Sequence, residues 1–151
     1  MTDTIAARLG QLGHALPVAS GPAANYVPVT RVGVLAFISG QISAGAVGRL
    51  GDDLSVEQGK AAAAGAALSL LAQIDRLIEG DVARVKRVAR LGIFVAATPD
   101  FTQHSQVGNG ASDLVVAVLG EAGRHARTTV GVASLPTGAA VEVEAIVELA
   151  E

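Results

Sequence analysis

Apolar and polar positions along the chain follow two periods, and the switches between them divide it into elements. Residues 3 to 13 predict a short amphipathic helix, with Asp3 as its cap and Ile5, Leu9 and Leu12 on one face. Ala19 to Asn25 is a loop of small and polar residues with Gly and Pro. Two strands follow, Tyr26 to Arg31 and Val34 to Ile42; Pro28 removes a ladder donor, so the first belongs at an edge or a bulge. Ser43 to Asp53, rich in Gly and Ala, reads as a turn or hairpin. Ser55 opens the strongest helical pattern, which runs to about Glu79. Ser55 and Gln58 have the spacing of a capping box, Leu68, Leu71, Ile74 or Asp75, and Ile78 trace one side, and Gly80 ends it.

Val85 to Ala97 is rich in β-branched residues and reads as a strand ending at Thr98-Pro99-Asp100. A second long helix covers about Gln103 to Leu119, with Val107, Ala111, Leu114, Val115 and Val118 at helical spacing and Gly108 and Gly110 weakening its first turns. Arg127 to Leu135 and Val141 to Leu149 are strands joined by Pro136-Thr137-Gly138. The order β-β-α-β-α-β-β predicts an α+β domain with one sheet and two long helices on a single face. In the last strand Val141, Val143, Ala145, Val147 and Leu149 should face the helices, with Glu142, Glu144 and Ile146 opposite. In the strand before it, Val130 and Val132 should face the helices, leaving Arg127, Thr129, Gly131 and Ala133 on the helix-free face. That face must meet water or a partner, and Gly131, Ala133 and Ile146 suit water poorly, so burial in an oligomer is expected.

Composition narrows the function classes. A chain of 151 residues fits one domain, 1–151, with residues 1–18 as an N-terminal helical extension. Half of it is apolar but aromatics make up only 3%, so the core must be Ala, Val, Leu and Ile. Cysteine is absent, which excludes disulfides, thiolate metal sites and a thiol nucleophile. Net charge is −3, without a basic stripe or aromatic platforms, which argues against nucleic-acid binding. The run Ala61 to Ala72 is too short to span a bilayer. Met1 to Leu16 lacks the apolar centre of a signal peptide, so a soluble cytoplasmic protein without a membrane partner is expected. His14, His104 and His125 are scattered and suggest no metal site; Gly108-Asn109-Gly110 lacks the Lys and strand context of a phosphate loop.

The segment His125-Ala126-Arg127-Thr128-Thr129-Val130-Gly131-Val132-Ala133-Ser134-Leu135-Pro136, followed by Val141-Glu142-Val143-Glu144-Ala145, resembles the C-terminal signature of the reactive-intermediate deaminase (Rid/YjgF) family: an Arg opening a strand, a Leu-Pro turn, then apolar-Glu-apolar-Glu. Ile38-Ser39-Gly40-Gln41-Ile42 is similar to the family's Ser-Gly-Gln strand, and Asn25-Tyr26 falls where the family often has a tyrosine. The match runs from about Pro22 to Glu148. His125 stands where Pro or Ala is usual, and Gly108 to Leu114 departs from the common pattern, as in a divergent branch. The resemblance implies a chorismate-mutase-like fold and a homotrimer with clefts between subunits. It also implies hydrolysis of enamines and imines such as 2-aminoacrylate to a 2-keto acid and ammonia, without metal or organic cofactor.

By that resemblance Arg127 anchors the substrate carboxylate through its planar fork and Glu142 positions or activates water. The Thr129 carbonyl would lie near the leaving nitrogen, Tyr26 and Ser39 would line the pocket, and Asn109 would add a polar contact. On residue type alone, Arg127 also reads as a salt-bridging strand charge, Tyr26 as a cap on the core edge and Ser39 as structural. A simple hairpin about Thr137 would set Glu142 near Ala133, about 20 Å from Arg127 at ~3.4 Å per residue, so that one subunit could not close the site alone. Three functions remain open: a deaminase, a non-catalytic trimer that binds a small carboxylate or stabilises other proteins, and, against the charge and aromatic content, an endoribonuclease.

Overall fold

The computed structural model describes residues 3–151; residues 1–2 of the expected N-terminal extension lie outside the described residues. Helix α1, Ile5–Gln11, is capped by Thr4, whose hydroxyl accepts from Ala7 N at 3.0 Å. Asp3 is not the cap; it pairs with Arg8, whose Nη1 also reaches the Val118 carbonyl at 2.8 Å. Ile5 and Leu9 are fully buried, while Leu12 lies past the helix end and is exposed. Strand β1, Val29–Val32, starts later than the sequence pattern suggests because Pro28 has no N–H to give to a ladder. Strand β2 spans Leu35–Ile42.

Helix α2, Val56–Ile78, opens on the expected capping box: Gln58 N donates to Ser55 Oγ at 3.2 Å and Ser55 N to Gln58 Oε1 at 2.9 Å. It closes with Glu79 in the left-handed region (φ 55°), followed by Gly80 (φ 78°). By length and composition α2 could cross a membrane, yet Leu70, Leu71, Ile74 and Ile78 are fully buried in the core of the domain. Strand β3 is Val85–Ala96, helix α3 His104–Leu119, strand β4 Ala126–Val132 and strand β5 Val141–Leu149. The sheet is mixed, five-stranded and ordered β1-β2-β5-β3-β4, with β3 and β4 parallel and the other pairs antiparallel. The α+β class, the single sheet and the two long helices on one face are as the sequence predicts, and β1 is an edge strand.

Two expectations about the C-terminal quarter are corrected. First, β4 and β5 do not form a hairpin, because β3 lies between them. Second, β4 faces the opposite way. Arg127, Thr129 and Gly131 stand opposite Leu91, Ile93 and Val95, which are fully buried on the helix side. Val130 stands opposite Phe94 and in line with Glu142 on the open face, where it is 42% exposed; Val132 falls on the same side. The alternation misleads here because β4 is an edge strand beneath α3. The helix brings a polar stripe and Gly108 to it, so polar and small residues point inward and valines point out. Strand β5 obeys the simple rule, with every second residue from Val141 to Leu149 buried. The open face therefore carries Phe37, Phe94, Val130 and Ile146 around Arg90, Glu142 and Glu144; Gly131 and Ala133 do not contribute to it as expected. Gly131 instead lies under His104, and Ala133 lies beyond the end of β4, lining a surface cavity with that histidine.

Alanine and glycine let the two long helices meet closely. A Cβ on Gly110 would sit 2.0 Å from the Lys60 carbonyl oxygen, and one on Gly59 would sit 2.8 Å from Leu50 Cδ1 and 3.0 Å from Val107 Cγ2. Gly65, on α2, has nothing within 4 Å of its missing Cβ. Both Gly110 and Gly65 are helical, so propensity favours alanine at each by ~1 kcal/mol. Packing should reverse the sign at one only. Gly65→Ala should stabilise by roughly 0.5–1 kcal/mol, whereas Gly110→Ala should destabilise by about 1–3 kcal/mol. Denaturant midpoints of the two variants check this; equal gains would mean that the helices are not in backbone contact.

Candidate functional site

Arg127 opens β4 on the helix side and is held by three oxygens of α3. Its Nη1 donates to Asn109 Oδ1 at 2.9 Å and to Ser112 Oγ at 3.0 Å, and its Nη2 donates to the Ser105 carbonyl at 3.2 Å. Ser105, Gly108, Asn109 and Ser112 fall at positions i, i+3, i+4 and i+7, one face of the helix. Gly108 is what lets β4 come near: a Cβ there would lie 2.9 Å from Thr129 Oγ1 and 3.4 Å from Arg127 Nη1. Thr129 Oγ1 is buried beneath this crossing and has no hydrogen-bond partner.

Arg127 differs from the other arginines in combining partial burial with the lack of a carboxylate; Arg31 and Arg76 also have no ion-pair partner among the described residues, but both are exposed. Arg8, Arg49, Arg84, Arg87, Arg90 and Arg124 each pair with a carboxylate. Arg127 is half-buried and, among the described residues, meets only neutral acceptors. A guanidinium has five N–H donors. With three committed, Nε–H and one Nη2–H remain on adjacent nitrogens, the pairing that binds a carboxylate through two bonds. Beyond Thr129 along the same face, Phe101, His104, Gly131 and Ala133 line a surface cavity of about 340 Å³.

The other expected site residues lie elsewhere. Glu142, in β5, is on the open face, where a Cβ on Gly40 would collide with its carboxylate. Ser39 holds the loop before β1: its Oγ donates to the Val27 carbonyl at 2.9 Å and its N to the Pro28 carbonyl at 2.9 Å. Tyr26, on that loop, is 53% exposed. The chain thus brings Arg127, Asn109 and Thr129 together at one edge, while Glu142 lies on the open face beside Gly40, next in sequence to Ser39, and Tyr26 sits on the exposed loop that Ser39 holds. Sequence reasoning missed Ser105 and Ser112, although their spacing around Asn109 within a predicted helix was the available signal. Among the described residues no group of three or more His, Asp or Glu side chains is arranged to hold a metal ion.

Glu142 has no ion-pair or hydrogen-bond partner among the described residues, whereas Glu144 pairs with Arg90 at 3.4 Å. Burial, and secondarily the neighbouring Glu144 charge, push the Glu142 carboxyl above its ordinary value. A folded-state value above the unfolded one means that the fold prefers the protonated form. That contribution is complete below the ordinary glutamate value of ~4.3 and is lost as pH rises through the raised one. Glu142→Gln should therefore unfold at a higher temperature than the parent at pH 7, with the advantage vanishing below about pH 4. Paired melting curves across that range check it, and a lower midpoint at pH 7 would show that the carboxylate is paired.

The comparisons with known proteins agree with this architecture. Residues 6–149 match the family model described as "YjgF/chorismate_mutase-like, putative endoribonuclease". The chain is 50% identical to Protein TCP17 of Trypanosoma cruzi, covering 96% of this chain and 94% of that protein. It is similar in structure to protein Atu1372 of Agrobacterium tumefaciens, of unknown function (TM-score 0.91, 45% identity, 97% of this chain and 92% of that one). It is also similar to a Shewanella oneidensis MR-1 protein described as a "putative endoribonuclease" (TM-score 0.91, 31% identity, 97% of this chain and 99% of that one). With the matched model covering nearly the whole chain, from α1 to the end of β5, this protein belongs to the YjgF/chorismate-mutase-like family.

Proposed function

We propose that this chain assembles as a homotrimer and hydrolyses small enamine or imine acids to the 2-keto acid and ammonia in clefts between subunits. The observation that carries the proposal is Arg127: a half-buried cation oriented by three neutral acceptors, without a carboxylate of its own among the described residues and with two adjacent donors uncommitted. Such an arrangement suits an external carboxylate. Asn109 and Ser112 fix the plane of the fork, which lowers the ordering cost when the ligand arrives.

The chemistry then needs a water at the imine carbon. Glu142 supplies the base or water-positioning group. A carboxylate held above its ordinary value by burial is a stronger base than an ordinary one. Water adds to the C=N carbon and its proton passes through Glu142 to the nitrogen, giving a carbinolamine. The carbinolamine hydroxyl then gives its proton, through Glu142, to the amine nitrogen; as the C–N bond breaks the C=O bond forms, ammonia leaves and the keto acid remains. Within one chain Glu142 and Arg127 are on opposite faces of the sheet and separated by the width of β3, so the pair must come from two copies. The apolar residues of the open face, with Phe37 38% and Val130 42% exposed, support burial against those copies.

Ammonia release from freshly generated 2-aminoacrylate tests the activity. Arg127→Ala should lose about ten- to a hundredfold, the worth of charged hydrogen bonds to one carboxylate. Trimers mixed from Arg127→Ala and Glu142→Ala chains should regain a fraction of the parental rate. Failure of every mixture to recover would place both groups in one chain's site and defeat the intersubunit arrangement. If the parent protein gives no acceleration across a panel of imino acids but binds 2-oxobutanoate, the same arginine serves a binding protein instead. RNA cleavage that survives extensive purification and disappears in Arg127→Ala would replace both readings.

A further inference from the structure

Ser112, one of the three acceptors of Arg127, is itself committed by His125. His125 Nδ1 lies 2.7 Å from the Gly123 carbonyl oxygen, and its Nε2 lies 2.9 Å from Ser112 Oγ. Ser112 Oγ in turn lies 3.0 Å from Arg127 Nη1. A carbonyl oxygen only accepts and a guanidinium only donates. The Nδ1 atom must therefore carry a proton, which in the neutral ring leaves Nε2 as a bare acceptor. Ser112 has one hydrogen, and it goes to Nε2. Its lone pairs are left for Arg127. No other arrangement of the neutral ring satisfies all three contacts at once.

A serine hydroxyl rotates, and without a fixed acceptor it can turn its hydrogen toward the guanidinium, where it repels rather than binds. The imidazole removes that option. Gly123 is buried, so the far end of the chain is fixed as well. The geometry points to His125 and Ser112 as positioning residues that lock the Arg127 guanidinium with its Nε–H and free Nη2–H turned to the ligand carboxylate. This rests on the reading of Arg127 as a carboxylate anchor; neither residue needs to touch the ligand.

Two conservative replacements separate the halves of the histidine. His125→Gln keeps an acceptor near the Nε2 position, whereas His125→Asn keeps only a donor toward Gly123. With 2-oxobutanoate as the probe, calorimetry on the assembled protein should give His125→Gln a Kd within about twofold of the parent. His125→Asn and Ser112→Ala should weaken binding roughly three- to tenfold, the worth of one hydrogen bond. The double variant Ser112→Ala/His125→Asn should be no weaker than Ser112→Ala alone, since the histidine acts through the serine. Equal effects of Gln and Asn, or an additive double variant, would overturn the assignment.

A ligand-free measurement decides the case independently. Nitrogen-15 spectra should find the His125 proton on Nδ1. The Arg127 Nη protons should be resolved in the parent and in His125→Gln, and averaged by rotation in His125→Asn and Ser112→Ala. A proton on Nε2 instead, or resolved Nη signals in all four proteins, would overturn the assignment. If the parent does not bind 2-oxobutanoate, the carboxylate reading fails, while these spectra still decide the positioning chain.

Discussion

The parallel pairing of β3 with β4 is the constraint on which the rest of the structure depends. Parallel neighbours cannot be joined by a tight turn, so the chain must cross over the sheet between them. Here α3 is that crossover. It lies over β4 and sets Ser105, Gly108, Asn109 and Ser112 above Arg127 and Thr129. An arginine at a free sheet edge would trail into solvent. Under this helix it becomes a fixed donor array. The close approach is possible because both helices are made of small residues where they cross, Gly110 against the Lys60 carbonyl and Gly59 against Leu50 and Val107.

The same topology divides the chemistry. Strand β5 runs through the middle of the sheet and turns Glu142 to the face without helices, beside Gly40 of β2. Strand β4 is an edge and turns Arg127 to the face with them. An unpaired cation and a carboxylate raised by burial are thus kept apart within the chain, each without a charged partner among the described residues apart from the repulsive neighbour Glu144. Two incomplete charge sites on one small domain are unfavourable unless something completes them. A second copy that lays its open face against the first copy's β4 edge would satisfy both at once.

Much of this was legible in the chain. The capping box at Ser55, the stop at Gly80, the alternation of β5 and the edge position signalled by Pro28 all follow from local rules, and their sum gives the element order. The motif around Arg127 gives the family. What local rules could not give was the neighbour of β4. Pro136-Thr137-Gly138 looks like a hairpin turn, but β3 claims the position beside β5, and nothing near residue 137 records that. The inverted facing of β4 has the same origin. Val130 and Val132 satisfy the usual inward alternation, yet the helix above this edge is polar, so Arg127 and Thr129 take the inward positions. Ser112 and Ser105 were hidden for a related reason, since a serine becomes informative only once the strand beneath its helix is known.

The central claim is that the site is completed by a second copy of the chain. The most direct measurement is the solution mass by sedimentation equilibrium at micromolar concentration and neutral pH. The account predicts one species at three times the chain mass of 15.1 kDa. A monomer under those conditions would leave Glu142 and Arg127 on opposite faces of an isolated sheet and would contradict the account.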